Sequence, residues 1–404
     1  MRIAVANWTS RVAGGAEVYL LRTLPNLEAM GHSLALFHEC DEPRSRPEIV
    51  AEGWLTRFSC AALGPDAALD ALRRWKPDII YVNGLVDPAL ESVVTKIAPA
   101  VASAHSYYGT CISGSKSVSF PVLEPCSRPF GPACLANYFP RRCGGVNPVT
   151  MVREYRRQAA RLSLLRTYPR VVVHSRHMRN EYAAHGITTE QIDLPMGDDL
   201  GSDSFPRSAA APSRILFVGR LERLKGGAEL IAALPLVARE VQRELTVTFV
   251  GEGPDGASWA RLASQLGTGV RSEFRGWLSG PALQEVVKAS EVVAIPSLWP
   301  EPFGMVGLEA GMYGIPAVAF AVGGIRDWLV DGKNGALAPG DPPTVTGLAE
   351  AMVRCLRDPA TFAQLRRGAR STFEEFSARR GSANALHDVF ERVLAARRGA
   401  QNHA

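Results

Sequence analysis

The chain has 404 residues, 46% of them apolar and 21% charged, a composition that excludes a disordered or fibrous protein. At roughly 100–200 residues per domain, this length predicts two or three domains. The 45 basic and 40 acidic residues leave a net charge of +5, too small to argue for a polyanionic partner over the whole surface.

No run reaches the roughly 18 apolar residues of a membrane span, and the short apolar start at 1–7 predicts no signal peptide. Seven cysteines, an odd number, do not describe a secreted disulfide scaffold. A reduced, cytoplasmic protein is expected. The charge is uneven, however. Residues 141–179 hold ten arginines against Glu154 alone, a local +9.

In chain order, an apolar run at 3–6 reads as a strand, and Gly14-Gly15 then opens a helix over about 16–30. Strand patterns recur at 34–37, 78–83, 100–105 and 171–174, with helical patterns at 67–75 and from about 88. Such alternation predicts a parallel sheet covered by helices on both faces. From 107 to 148 the rhythm breaks into Gly, Pro, Ser, Cys and aromatic residues, and a stretch so long without periodicity is either functional or hides elements that the pattern does not show.

The segment 197–212, rich in Ser, Ala, Asp and Pro, reads as a linker. The alternation then restarts, with strands at 215–218, 245–250, 270–274, 292–295 and 317–322. Helices are expected from 227, near 258–265, over 281–289 and from 304, and the last fifty residues read as mostly helical. The expected organisation is a first α/β domain over 1–196 with an irregular insertion at 107–148, and a second over 213–380. A terminal helical segment follows at 381–404.

Three constellations carry chemistry. Gly14-Gly15-Ala16-Glu17 follows the first strand, where glycines let backbone N–H groups approach an anion at a helix start. A tight turn explains the same glycines, and the helix dipole alone explains Glu17.

Gly219-Arg220 and Lys225-Gly226 follow the strand at 215–218, at the end of a parallel strand where open α/β sheets bind ligands. A fork and a point charge placed there suit a diphosphate, although a solvated patch has the same look. Glu301 and Glu309 bracket a strand-to-helix junction, with Phe303, Gly304, Met305 and Val306 between them. Carboxylates so spaced can each take paired hydroxyl hydrogen bonds, although a helix N-terminal carboxylate and an ordinary exposed glutamate have the same spacing.

These blocks, with Gly251-Glu-Gly253-Pro, Arg275-Gly276-Trp277 and the glycine-punctuated run 323–335, resemble retaining glycosyltransferases of family 4. The resemblance runs in order through both halves. It implies the GT-B fold, an α/β architecture of two Rossmann-like domains with parallel sheets facing across a cleft and C-terminal helices crossing back to the first domain.

It also implies transfer of a hexose-type sugar from a nucleotide diphosphate sugar to a saccharide or lipid-linked saccharide. The anomeric configuration is retained in this family, with no cofactor or catalytic metal required. Catalytic roles fall to His105, Arg220, Lys225 and Glu301. Gly14, Gly15, Gly219, Trp277, Phe303, Gly304, Met305, Val306 and Glu309 would bind the donor alongside Arg220, Lys225 and Glu301. His105 stands before Ser106-Tyr107-Tyr108 rather than Asp, a departure from the family's usual form.

Two features lie outside the resemblance. Cys111, Cys126, Cys134 and Cys143 fall in the irregular stretch, and their spacing allows a structural zinc as well as ordinary thiols. Val152, Tyr155, Ala159 and Leu162 share a helical spacing, with Arg153, Arg156, Arg157 and Arg161 on other faces. That pattern suits either an anionic membrane surface met by the basic segment 141–179 or a normal domain helix.

A nucleic-acid partner is not expected, because it would leave the second half unexplained. A nucleotide-sugar epimerase, or a nucleotide-sugar-binding protein without transfer, is the alternative reading.

Overall fold

The computed structural model describes residues 1–51, 53–196, 213–379 and 382–401; the expected linker at 197–212 lies outside the described residues. Contacts divide the chain into two units. One comprises Met1–Gly114, Arg128–Met196 and Arg379–Ala404, and the other Ser115–Ser127 and Gly197–Ala378. The irregular stretch 107–148 is thus divided between them.

The first unit is built on strands β1 (Arg2–Thr9), β2 (Ser33–Cys40), β3 (Thr56–Ser59), β4 (Ile79–Gly84) and β5 (Ala100–Ser103). After the short antiparallel pair β6 (Ser117–Val118) and β7 (Glu124–Pro125), strands β8 (Val171–Val173) and β9 (Thr189–Gln191) complete its sheet. The order is β3-β2-β1-β4-β5-β8-β9, all parallel. Ile3, Val5, Ile79, Ile80 and Val101 are fully buried or nearly so, as a sheet covered on both faces requires.

The helix Gly15–Ala29 lays Leu20, Leu24 and Leu27, spaced by helical turns, into the same core. The helix Ser382–Gln401 belongs to this unit and buries Leu386, Val389 and Phe390 completely. Phe390 meets Tyr81 of β4 edge-on at 5.5 Å.

The second unit carries β10 (Ser213–Val218), β11 (Leu245–Val250), β12 (Val270–Phe274), β13 (Val292–Ile295), β14 (Ala317–Phe320) and β15 (Gly335–Ala338). Their order is β12-β11-β10-β13-β14-β15, again all parallel. Each sheet reverses its strand order once, between β1 and β4 in the first unit and between β10 and β13 in the second. Those reversal points, at the carboxyl ends of the strands, are where such sheets open a crevice for ligands.

Several elements differ from the expectation. β3, β9 and β15 have no counterpart in the sequence reading; β3 and β9 are short, polar edge strands whose pairing comes from a neighbour rather than from an apolar pattern. The irregular stretch holds the β6–β7 pair and a short helix, Ala133–Tyr138.

The helix Pro148–Leu165 is present, but its buried face is Gln158, Arg161, Leu162 and Leu165. Val152 is exposed and Arg161 buried, the reverse of the expected faces. The cause is Glu91, a buried carboxylate 3.5 Å from the Arg161 guanidinium, and the carbonyl of Leu85, which accepts from Arg161 at 2.6 Å.

Candidate functional site

In the second unit, β10 ends at Val218 and the chain turns through Gly219 and Arg220 to Lys225 and Gly226. The turn can run this close only because of its glycines. A Cβ on Gly226 would lie 1.7 Å from the carbonyl oxygen of Pro296, and the residue sits at φ +71°. That contact seats the Lys225 turn directly on the loop leaving β13.

The same loop carries Glu301. One carboxylate oxygen, Oε1, accepts from Lys225 Nζ at 2.6 Å, from Ser297 Oγ at 2.5 Å and from Trp299 Nε1 at 3.0 Å. The Lys225 ammonium also lies 5.3 Å from the Trp299 ring centre, a distance at which the ring face attracts a cation.

From the far side, Gly324 N–H donates to the Glu301 carbonyl at 2.7 Å. A Cβ on Gly323 would lie 2.3 Å from that carbonyl oxygen. Glu301 is therefore held by side chain and backbone at once, 6% exposed, at the reversal point of the sheet.

The other expected residues of this unit differ in exposure and in their partners. Arg220 is 67% exposed along its side chain and pairs with Glu222 at 3.1 Å. Phe303 packs inward, edge-on to Phe376 at 6.2 Å, and its carbonyl accepts from Trp328 Nε1. Gly304, at φ +80°, leads into the helix Met305–Ala310, where Met305, Val306 and Glu309 are half-buried. Trp277 is half-buried past the end of β12.

In the first unit, Gly15 is exposed with no atom within 4 Å of where a Cβ would stand. Gly14 is nearly as open, with only Glu17 Oε2 at 3.8 Å. Local packing therefore does not require either glycine, and the space above them is free.

Glu17 is no surface carboxylate. It is 3% exposed and accepts from Trp8 Nε1 at 3.0 Å and from Asn7 Nδ2 at 3.5 Å. Burial raises its pKa against those hydrogen bonds.

His105 stands just beyond β5, half-buried, with Nε2 at 2.8 Å from Asn83 Oδ1 and 2.9 Å from Ser103 Oγ. Its ring stacks on His174 at 5.1 Å and faces Tyr19 at 5.1 Å. Burial, helped by His174, holds its pKa well below the ordinary histidine range and so favours the neutral ring.

Asn7, Asn83 and Trp299 are the residues that sequence reasoning missed. The one signal available for the first two was a polar residue near the carboxyl end of an otherwise apolar strand.

Among the described residues, no group of three or more His, Cys, Asp and Glu could hold a metal ion. The four cysteines whose spacing allowed a structural zinc form no such group. No disulfide joins the seven cysteines; Cys111 is buried, and Cys143 Sγ donates to the carbonyl of Asn137. Nor is any described helix long and apolar enough to cross a membrane.

Two parallel-sheet Rossmann-like units, the second carrying a cation–carboxylate pair at its reversal point, have the GT-B fold. The chain belongs to the glycosyltransferases of the family 4 type. The model described as Glycosyltransferase Family 4 matches residues 13–194, and that described as Glycosyl transferases group 1 matches 204–372.

Among curated relatives, a glycogen synthase of Mycobacterium tuberculosis is 34% identical over 195 residues, 48% of this chain and 45% of the relative. A D-inositol 3-phosphate glycosyltransferase of Saccharomonospora viridis is 36% identical over 194 residues, 46% of this chain and 44% of the relative. The matches thus span less than half the length of these relatives.

Among solved structures, Anabaena Alr3699/HepE in complex with UDP and glucose aligns with a TM-score of 0.68 at 19% identity, over 97% of this chain and 100% of that one. WaaG, a glycosyltransferase involved in lipopolysaccharide biosynthesis, aligns with a TM-score of 0.69 at 15% identity, over 96% and 99%.

Proposed function

We propose that the protein is a retaining transferase that moves a hexose-type sugar from a nucleoside diphosphate sugar to a saccharide or lipid-linked saccharide, in polysaccharide or glycoconjugate synthesis. The observation that carries this reading is the Lys225–Glu301 pair, at 2.6 Å, on the reversal point of the second sheet.

In the reaction, the bond between the anomeric carbon and the β-phosphate oxygen breaks and both electrons leave with the phosphate. Lys225, with Arg220 swung from Glu222, offsets the charge that develops, and preorganised charge of this kind supplies much of the rate enhancement in many enzymes. A phosphate oxygen competes with Glu301 for the ammonium. The carboxylate, still held by Ser297 and Trp299, then receives sugar hydroxyls.

The acceptor oxygen attacks on the face the phosphate leaves, and the phosphate takes its proton. Glu309 receives the ribose hydroxyls. Backbone groups of Phe303, Gly304, Met305 and Val306 orient the sugar, and those of Trp277 the base. Gly219, and the open amides at Gly14 and Gly15, suit phosphate oxygens. His105 meets a sugar hydroxyl.

The complexes of HepE with UDP and UDP-glucose make a uridine donor the first to try. A thermal-shift series with UDP, GDP and ADP, each free and as its sugars, should show stabilisation by one base. Product analysis by NMR with that donor should then show the anomeric configuration kept. No stabilisation by any nucleotide overturns the reading. Donor turnover without an acceptor favours the epimerase alternative, and binding without turnover a non-catalytic protein.

The acceptor-side basic segment is read as meeting anionic lipid. Val146, Val149 and Val152 are 89%, 72% and 40% exposed, with Arg142, Arg153 and Arg156 exposed beside them. Apolar and basic groups side by side on a surface suit an anionic interface. Co-sedimentation with phosphatidylglycerol vesicles at low salt is the expected result, and its absence overturns this part.

A further inference from the structure

At the reversal point of the first sheet, five polar side chains form a row closed at both ends by main-chain carbonyls. At one end Asn7 Nδ2 donates to the carbonyl of Thr9 at 2.8 Å. A carbonyl oxygen only accepts, so the Asn7 amide nitrogen must face it and Asn7 Oδ1 is left for Asn83. Asn83 Nδ2 donates to that oxygen at 2.9 Å, with the Ala16 carbonyl at 3.4 Å. Asn83 Oδ1 is thereby turned to His105 Nε2, at 2.8 Å.

At the other end, His174 Nδ1 lies 2.9 Å from the carbonyl of Ile192. That nitrogen carries the His174 proton, and His174 Nε2 accepts. The Ser103 hydroxyl donates to it at 3.3 Å, and the Ser103 oxygen can then only accept from His105 Nε2, at 2.9 Å.

Both ends impose the same answer. His105 carries its proton on Nε2, and its Nδ1 keeps a lone pair with no hydrogen-bond partner among the described residues. The titratable groups around the ring are His174 just past β8, Tyr19 and Glu17 from the helix Gly15–Ala29, and Tyr81 from β4, whose hydroxyl bonds those of Tyr19 and Ser103. None supplies a fixed charge in contact with His105.

We propose that Asn83 and Asn7 are positioning residues that lock His105 as its Nε2–H tautomer and so present Nδ1 as a neutral acceptor to a sugar hydroxyl. The sugar rests on the function proposed above; the tautomer does not. The opposite tautomer would aim an N–H at the same place and favour a phosphate or carboxylate oxygen. The asparagine row therefore decides which class of group the histidine meets.

The test uses the full chain with ¹⁵N-labelled imidazoles, the His105 signals being assigned by their loss in His105→Gln. Long-range proton–nitrogen spectra should show a protonated Nε2 and an unprotonated Nδ1. An Nδ1–H tautomer, or a mixture of the two, overturns the inference.

Asn83→Asp puts a carboxylate against Nε2, so the His105 titration and the acid limb of kcat/KM should move up by about one pH unit or more. An unmoved His105 titration in a folded Asn83→Asp protein also overturns it. If the tautomer is as stated but no sugar binds, the functional reading fails and the hydroxyl ligand goes with it. The wrong tautomer in an active transferase sinks this inference alone.

Discussion

Three donors converge on one oxygen of Glu301, so each can be removed with a different expectation. Lys225→Ala and Glu301→Ala should each lower turnover by about tenfold or more, measured as kcat with the donor found by thermal shift. Trp299→Phe keeps the ring under the ammonium and removes only the indole donor. Its loss should be smaller, about threefold to tenfold in kcat/KM, the net worth of a typical hydrogen bond.

Gly226→Ala forces a Cβ against the Pro296 carbonyl at a left-handed φ. It should cost about 2 kcal/mol or more in denaturant unfolding. Lys225 and Glu301 were legible in the sequence because the glycines and prolines that shape their loops are close to them in the chain. Asn7, Asn83 and His105 were not legible as a set. The two asparagines are 76 positions apart, and only the parallel pairing of β1 with β4 brings them together.

At the scale of elements, the helix Pro148–Leu165 shows where pattern reading stopped. Its arginines looked interchangeable in the sequence, yet the structure separates them. Arg161 is buried against Glu91, whose pKa burial raises despite the guanidinium.

Arg161→Leu would leave that carboxylate without its cation. It should destabilise the protein by about 3–5 kcal/mol, the cost of breaking a buried ion pair, as a lower urea midpoint. Arg153→Glu with Arg156→Glu changes exposed positions, so stability should move by no more than about 0.5 kcal/mol while vesicle binding falls. Hydrophobic spacing could not separate these arginines, because the carboxylate that chooses among them comes from another helix.

For the whole molecule, acid is the informative perturbation. Burial lowers His174 to about 4 and pushes His105 well below its ordinary range. Between pH 6.5 and 4 the unfolded chain therefore binds protons that the folded chain refuses. The stability tied to these neutral rings is complete above pH 6.5 and is lost as the pH falls toward 4. For His174 this amounts to roughly 3 kcal/mol. Tm should drop over that window, and His174→Gln should flatten the drop; an equal drop in the variant would contradict it.

The helix Ser382–Gln401 seals the first unit with Leu386, Val389 and Phe390, yet it is encoded after the whole of the second unit. During synthesis the ribosome must add roughly 180 residues between Met196 and Arg379, which at about 5–20 residues per second takes on the order of 10–40 seconds. For that interval the nascent first unit shows water the apolar surface around Tyr81 that Phe390 will later cover. The order of the elements in the gene thus gives this protein a window of exposure that a chaperone would have to guard, and a chain cut short before its last helix would never leave it.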